Sequence, residues 1–266
     1  VMSICAAARD AGTVVSIGIS EMADNSVGCI WNTNLLIGAD GAVINHHRKL
    51  VPTFFEKLIW ANGDGNGLRV VDTPIGKIGA LICGENTNPL ARFSLIAQGE
   101  QIHASSYPPT WPTHDPKAND RYDLASAIRI RAGAHSFEAK AFNVVASSLI
   151  DQRTLDELAD LGPEALRIIS ESPQGLSAII GPDGLPIAET QSETDTILTE
   201  TINLEALVVP KQFHDVVGYY NRFDVFQLEV NRAERSGVHF DDGDLTPRGL
   251  EFEEMERMMG FEAKTN

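Results

Sequence analysis

The chain is short of positive charge and of long apolar runs, and both shortages exclude classes of protein. Its 266 residues include 21 Lys and Arg against 37 Asp and Glu, a formal net charge of −16. Nucleic acids and anionic membrane surfaces attract concentrated positive charge, so neither is an expected partner. No apolar run approaches the roughly 18 residues that a membrane-spanning helix needs, so no membrane segment is expected.

Cysteine is also scarce. Cys5, Cys29 and Cys83 cannot form a closed set of disulfides, and no two of them have C-x-x-C spacing. This usage is typical of a reducing compartment, and we expect the cytoplasm. The chain also lacks the His and Cys spacings of zinc sites and the G-x-S-x-G pattern of serine hydrolases. The sequence therefore predicts no metal, no cofactor and no serine nucleophile.

What is present is an alternation of strand-like and helix-like segments, with 43% apolar residues to fill a core. Asp-Gly turns at 39–41 and 182–184 predict hairpins, and Asn88 followed by Pro89 predicts a capped helix. The run DTILTETIN (195–203) predicts a further strand. Strands that pair in hairpins and also alternate with helices predict a mixed sheet covered by helices, an α/β layered architecture.

One cysteine stands out by its position. The apolar run KIGALIC ends at Cys83, just before the predicted capped helix. Backbone N–H groups and the positive end of a helix favour a thiolate, and Gly84 would permit a sharp turn and close approach of a substrate. The alternative is that Cys83 only fills the core, which is the usual role of a lone cysteine and the one we expect for Cys5 and Cys29.

Two blocks of sequence settle this choice by resemblance to a known family. HHRKLVPTFFEKLIWANGDG (46–65) resembles the lysine block of the nitrilase superfamily of carbon–nitrogen hydrolases, and GALICGENTNPLARFSLIAQGEQIHASSYP (79–108) resembles its cysteine block. The later segments RAGAHSFEAKAFNVVASS and SAIIGPDGLPIAE are also similar to the family. The resemblance covers nearly the whole chain to about residue 205.

The resemblance implies a four-layer α-β-β-α sandwich and a catalytic set in which Cys83 is the nucleophile. Lys49 matches the family lysine, and Glu56 stands where a second carboxylate is expected. The family's first catalytic Glu has no counterpart here; we expect it in sequence upstream of Val1 that this chain does not include. Glu21 resembles a structural glutamate instead. Gly84 departs from the family, which often has Trp or another bulky residue there.

Aromatic residues near these blocks are candidates for the substrate pocket. We predict that Gly84, Phe54, Trp60, Tyr107 and Trp111 contact the substrate, although the aromatic side chains could equally pack their own loops. Two acidic residues are expected to have structural roles: Glu85 to support the loop after the nucleophile, and Glu138 to anchor the long helix.

The leading functional hypothesis is a nitrilase that converts an organic nitrile, of the aryl or arylalkyl kind, to a carboxylic acid and ammonia through a Cys thioimidate and thioester. The alternatives are an amidase, an N-carbamoyl hydrolase or a cyanide-hydrolysing member of the superfamily. A third alternative, of another class, is a catalytically impaired assembly subunit. We predict a hydrolase domain over residues 1–218 and a charge-rich C-terminal arm over 219–266. The arm is expected to make subunit contacts in a homo-dimer or a larger, spiral homo-oligomer.

Overall fold

The computed structural model describes residues 1–118, 122–191 and 194–234. The first compact unit is Val1–Glu234; the second, Arg235–Asn266, lies outside the described residues, and so does that part of the predicted arm. In the described ranges the longest helix has 16 residues, so none of these helices could cross a bilayer as a transmembrane segment.

Two sheets form the centre of the unit. The first is antiparallel, in the order β1-β2-β3, and consists of Val15–Ala23, Ser26–Ile37 and Val43–Arg48. The second is mixed, in the order β4-β5-β6-β7-β8-β9. Its strands are Val71–Thr73, Gly76–Ile82, Ile102–Tyr107, Phe142–Ser147, Ser177–Ile180 and Pro186–Thr190. The pairs β5–β6 and β6–β7 are parallel, and the others are antiparallel.

Six α-helices are described. They are α1 (Met2–Ala11), α2 (Pro89–Ile96), α3 (Leu124–Ala139), α4 (Gln152–Glu157), α5 (Pro163–Glu171) and α6 (Val208–Phe213). Helix α1 ends at Gly12, which takes the left-handed conformation that glycine permits, as the sequence predicts. Asn88 caps α2 by accepting from the backbone N–H groups of Leu90 and Ala91, as predicted.

The apolar contacts define four layers. Ala8 of α1 packs on Leu35 and Ile37, which face away from the second sheet. Leu36 points the other way, against Ile78. Because successive side chains of a strand point to opposite faces, β2 has one face on α1 and the other on the second sheet.

The far face of the second sheet is covered by helices. Leu81 contacts Leu95 of α2, and Val145 contacts Ile128 of α3. The predicted α-β-β-α sandwich is confirmed.

One predicted element was wrong, and two helices were missed. The run 195–203 is not a strand; the strand that follows the 182–184 turn is β9, which ends before that run begins. The β-branched residues of 195–203 have no strand to pair with, and Ile197 is 90% exposed. Strand propensity reflects packing against neighbours, and this segment has few. Helices α4 and α5 were not predicted.

Candidate active site

Cys83 lies where β5 ends and a single turn of 3₁₀ helix, Cys83–Thr87, begins. Its own backbone has a φ of 50°, a left-handed conformation that non-glycine residues rarely adopt. The sharp turn was predicted for Gly84, whereas the residue that bends is the cysteine itself. The strand-to-turn junction thereby presents the thiol at the end of the buried sheet.

Gly84 still has a steric reason to be small. A Cβ at this position would come within 3.0 Å of Thr53 Oγ1, from the loop that follows Lys49. The absence of the family's bulky residue therefore allows the Lys49 loop and the Cys83 turn to approach each other closely.

Lys49 and Glu56 form an ion pair beside this turn, in which the lysine is buried and the carboxylate is half-buried. The Lys49 side chain is 1% exposed, and its ammonium donates to Oε2 of Glu56. The backbone N–H of Thr53 donates to the same oxygen at 2.6 Å. Burial of this kind requires paired charges, and the geometry provides the pair.

Glu85 fixes the Lys49 loop to the end of β5. Its carboxylate accepts from the backbone N–H of Leu50 at 2.6 Å and from that of Ile82 at 2.9 Å. His47 Nε2 lies 3.0 Å from the same carboxylate. Burial raises the pKa of Glu85, but the charge and hydrogen bond of His47 and the two backbone N–H groups lower it below the ordinary value. The Glu85 carboxylate thus links Leu50, which follows Lys49, to Ile82, which precedes Cys83.

The electrostatics of the thiol differ from the sequence expectation. Burial is the largest influence and raises the pKa of Cys83 above its ordinary value. The positive charges of Lys49 and Arg131 and the backbone N–H of Gly84 act in the opposite direction, while the Glu56 carboxylate opposes the thiolate. The charges of Lys49 and Glu56 therefore act on the ionisation of the Cys83 thiol in opposite directions, since Lys49 favours the thiolate and Glu56 disfavours it.

Cys83 borders two cavities. The larger, of ≈ 450 Å³, is also lined by Glu56, Trp60 and Tyr107. The smaller, of ≈ 240 Å³, is lined by Phe54, Gly84 and Trp111 among others. The five residues predicted to contact substrate thus divide between two sides of the cysteine. Two polar atoms near the larger cavity, Trp60 Nε1 and Tyr107 Oη, are buried and have no hydrogen-bond partner in the part of the chain that the structure describes.

A network of buried polar side chains stands behind Cys83. Asn86 Nδ2 donates to the carbonyl of Cys83 at 3.1 Å, and Asn86 Oδ1 lies 2.9 Å from His103 Nε2. The other ring nitrogen of His103 lies 2.7 Å from Glu100, whose second oxygen lies 2.6 Å from His135 Nε2. Burial raises the pKa of Glu100, but the two histidines lower it to about 2.

Glu100, His103 and His135 are also the group in the described chain with metal-ligating atoms within 4.8 Å of one another. Their facing atoms are hydrogen-bonded to each other, and His103 and His135 stack with ring centroids 3.8 Å apart. The atoms of the two rings that face Glu100 are therefore engaged in hydrogen bonds, whereas Nδ1 of His135 is buried without a hydrogen-bond partner among the described residues.

Sequence reasoning missed Arg131, which lines the smaller cavity. A signal was available, because Arg131 follows Leu124 and Ile128 at spacings that place all three on one face of α3. A basic residue within an apolar helix face merits attention. Glu138, predicted as an anchor, pairs with Arg92 through two contacts of 2.9 Å.

Comparison with known proteins identifies the family of the chain. The model of the family "Carbon-nitrogen hydrolase" matches residues 1–209. This chain belongs to the carbon–nitrogen hydrolase family.

Curated relatives support the assignment, and a solved structure agrees with the fold. A protein named Nitrilase 3, from an unknown prokaryotic organism, is 37% identical over 88% of this chain and 67% of its own length. Nitrilase 2, also from an unknown prokaryotic organism, is 34% identical over 93% of this chain and 73% of its own. A carbon–nitrogen hydrolase from Helicobacter pylori G27 superposes with a TM-score of 0.66 at 18% identity, covering 83% of this chain and 72% of that one. This last likeness concerns the fold alone.

Proposed function

We propose that this member of the carbon–nitrogen hydrolase family is a nitrilase, with Cys83 as the nucleophile and Lys49 and Glu56 as its catalytic partners. The observation that carries the proposal is that the Cys83 thiol shares a cavity with Glu56, whose partner Lys49 acts electrically on the same sulfur. A nucleophile beside a fixed cation and a carboxylate is suited to addition to a carbon–nitrogen multiple bond.

The chemistry would proceed in two hydrolytic stages. The sulfur adds to the nitrile carbon, the thiol proton moves to the nitrile nitrogen, and a covalent thioimidate forms. One water then releases ammonia and leaves a thioester, and a second water releases the carboxylic acid and restores the thiol. Each addition builds negative charge on nitrogen or oxygen, where the buried ammonium of Lys49 would stabilise it.

Glu56 would hold the Lys49 ammonium and accept a hydrogen bond from the intermediate. The backbone N–H of Thr53 also donates to the Glu56 carboxylate and keeps it oriented. Acceptance of the thiol proton and activation of water are assigned to the further glutamate that the family resemblance implies.

The aryl or arylalkyl preference rests on two supports. Trp60 and Tyr107 give the larger cavity aromatic walls. A relative from Hypocrea virens, 32% identical, is named arylacetonitrilase, although another from Rhodococcus rhodochrous, 31% identical, is named aliphatic nitrilase. We therefore propose phenylacetonitrile as a first substrate to test.

The test compares nitrile with amide and tracks the cysteine. Phenylacetonitrile should release ammonia and phenylacetic acid faster than phenylacetamide does, and Cys83→Ala should abolish the release. Mass spectrometry after an acid quench should find the acyl adduct on Cys83, with Cys5 and Cys29 as internal controls. Faster turnover of the amide would favour an amidase. If Cys83 forms no adduct and reacts with iodoacetamide no faster than Cys5 and Cys29, the nucleophile assignment fails.

We also propose that the chain assembles as a homo-dimer or a larger, spiral homo-oligomer, with the C-terminal arm over 219–266 making subunit contacts. The first part of the predicted arm packs on its own unit, since Val230 joins the cluster of Leu68, Leu81 and Leu95. Light scattering on the full chain and on a chain that ends at Glu234 tests this. An unchanged mass would refute the role of 235–266.

The cytoplasm remains the proposed location, on the basis of three free cysteines.

A further inference from the structure

The smaller cavity beside Cys83 differs in chemistry from the larger one. Apart from Cys83 and Gly84, its walls are Thr53, Phe54, Trp111, Tyr122, Leu124 and Arg131. It is therefore a mainly apolar space that contains one permanently positive group. No carboxylate is among the described residues that line this cavity.

Arg131 is held in place by neutral partners. Its Nε donates to Thr87 Oγ1 at 2.7 Å, and its Nη2 donates to Tyr122 Oη at 2.7 Å. In the described ranges of the chain, no ion pair joins Arg131 to an acidic side chain. Two hydroxyls fix the guanidinium without neutralising it, and further N–H donors of its five remain.

Arg129, on the same helix, shows the contrast. Its guanidinium forms two hydrogen bonds with the Glu189 carboxylate, at 2.9 and 3.0 Å. Arginine prefers this paired, bidentate arrangement with a carboxylate. An arginine that is oriented but has no anionic partner among the described residues, at the edge of a cavity that Cys83 also lines, is suited to receive an anion from outside.

The positive charge of Arg131 also lowers the pKa of the Cys83 thiol, in opposition to burial. It favours the thiolate of Cys83, and the two residues line the same cavity. The apolar walls limit solvent screening, which strengthens the attraction for a negative group bound between them.

We propose that Arg131 binds a carboxylate carried by the substrate, so that this enzyme acts on nitriles with an anionic substituent a few bonds from the reacting carbon. The inference rests on the proposed function, because it assumes that Cys83 is the reacting centre. The aromatic or alkyl part of the substrate would occupy the larger cavity, and the carboxylate would enter the smaller one.

Two alkylating reagents that differ only in charge test the proposal without any need for turnover. Iodoacetate transfers a carboxymethyl group to the thiolate sulfur and iodoacetamide a carbamoylmethyl group, each with loss of iodide, so the two reagents differ in a carboxylate in place of an amide. Their rates at Cys83 are measured by mass spectrometry, and each ratio is compared with the ratio at Cys5 and Cys29 in the same sample. We expect the iodoacetate-to-iodoacetamide ratio to be about tenfold higher at Cys83, the effect of one charge-assisted contact.

Variants assign the preference to Arg131. Arg131→Gln should reduce the ratio at Cys83 about tenfold, and Arg131→Lys should retain part of it. Arg129→Gln, the matched control on the same helix, should leave the ratio unchanged. Loss of the thiolate-favouring charge would slow both reagents equally, so equal slowing in Arg131→Gln means that Arg131 only influences the thiol and overturns the proposal.

A binding measurement separates this failure from failure of the nucleophile. Glutarate, but not glutaramide, should raise the melting temperature of the native chain and of Arg129→Gln, and should not raise that of Arg131→Gln. If Cys83 is inert to both reagents while glutarate stabilises the protein through Arg131, the anion site stands and the proposed function fails. Equal shifts in native chain and Arg131→Gln would overturn the anion site.

Discussion

At the scale of single residues, Cys83 combines two unfavourable features. Its left-handed backbone costs on the order of 1–2 kcal/mol for a non-glycine residue, and its burial disfavours the thiolate that nucleophilic attack requires. Both are typical of functional sites, where surrounding structure compensates for local strain. The nearby cation of Lys49 is the first compensation to test.

We expect Lys49→Gln to move the pH dependence of Cys83 alkylation upward. Lys49 favours the thiolate, so its removal raises the pKa of the thiol and lowers the thiolate fraction at neutral pH. The iodoacetamide rate at pH 7 should fall about tenfold, which corresponds to one pH unit. Alkylation rates measured from pH 6 to 10 provide the test.

Lys57→Gln is the control, because Lys57 is exposed in the same loop. It should leave the profile in place. A Lys49→Gln profile that superposes on the native one, in a variant that still folds by circular dichroism, would contradict the electrostatic role of Lys49.

The site could be predicted from sequence only where its residues lie in continuous blocks. Lys49, Glu56 and Cys83 belong to two short segments with recognisable patterns. Arg131 enters the same region only because α3 lies over the end of β5, a tertiary fact that local sequence does not encode. The direction of the Cys83 pKa depends on burial and on several charges at once, so it required the assembled structure.

At the scale of elements, two asparagines in one turn perform different tasks. Asn86 donates to the carbonyl of Cys83 and connects to His103, whereas Asn88 caps α2 through its side-chain oxygen. The first supports the conformation of the nucleophile, and the second supports the start of a helix. The two contributions can be separated by experiment.

Asn86→Ala and Asn88→Ala should therefore destabilise the protein to a similar extent but differ in their effect on Cys83. Each should lower the free energy of unfolding by about 1–2 kcal/mol, from lost hydrogen bonds in one case and a lost cap in the other. Only Asn86→Ala should also slow Cys83 alkylation, by about threefold or more, since it releases the Cys83 carbonyl. Urea denaturation and alkylation rates measure the two effects, and an equal loss of reactivity in both variants would argue against a specific role of Asn86.

Elements were predictable where local signals agreed with long-range pairing. Gly12, Asn88 and the Asp-Gly turns are local chemistry, and they mark real ends of helices and strands. The segment 195–203 has strand-forming residues but no partner, so its prediction was wrong. Helices α4 and α5 contain no fully buried residue; α4 is short, whereas the apolar residues of α5 do recur at helical spacing and this signal was missed.

At the scale of the whole molecule, Glu21 connects all three strands of the first sheet. From β1 it accepts hydrogen bonds from Thr33 of β2 at 2.6 Å and from the Arg48 guanidinium of β3, and it lies 2.7 Å from His46 Nε2. Burial raises the pKa of Glu21, but Arg48, Thr33 and His46 outweigh it and lower the pKa to about 2. The structural role predicted for Glu21 is consistent with these contacts.

This carboxylate should make the stability of the fold depend on pH in a defined window. The unfolded pKa is near 4.5 and the folded pKa about 2, so the native state keeps Glu21 ionised at a pH where the unfolded chain takes up a proton. The contribution of the Glu21 charge to the free energy of unfolding is complete above pH 4.5 and is lost as the pH falls toward 2. Glu21→Gln should reduce the free energy of unfolding by about 1–3 kcal/mol at pH 7, and native and variant proteins should converge in stability near pH 2.

Glu189→Gln, which breaks the more exposed pair with Arg129, is the control and should lower the free energy of unfolding by less than about 1 kcal/mol at any pH. Urea denaturation at pH 3, 5 and 7 provides the measurement. If the difference in stability between the native protein and the Glu21→Gln variant stays constant from pH 7 to 3, the connection between the strands does not depend on the charge of Glu21.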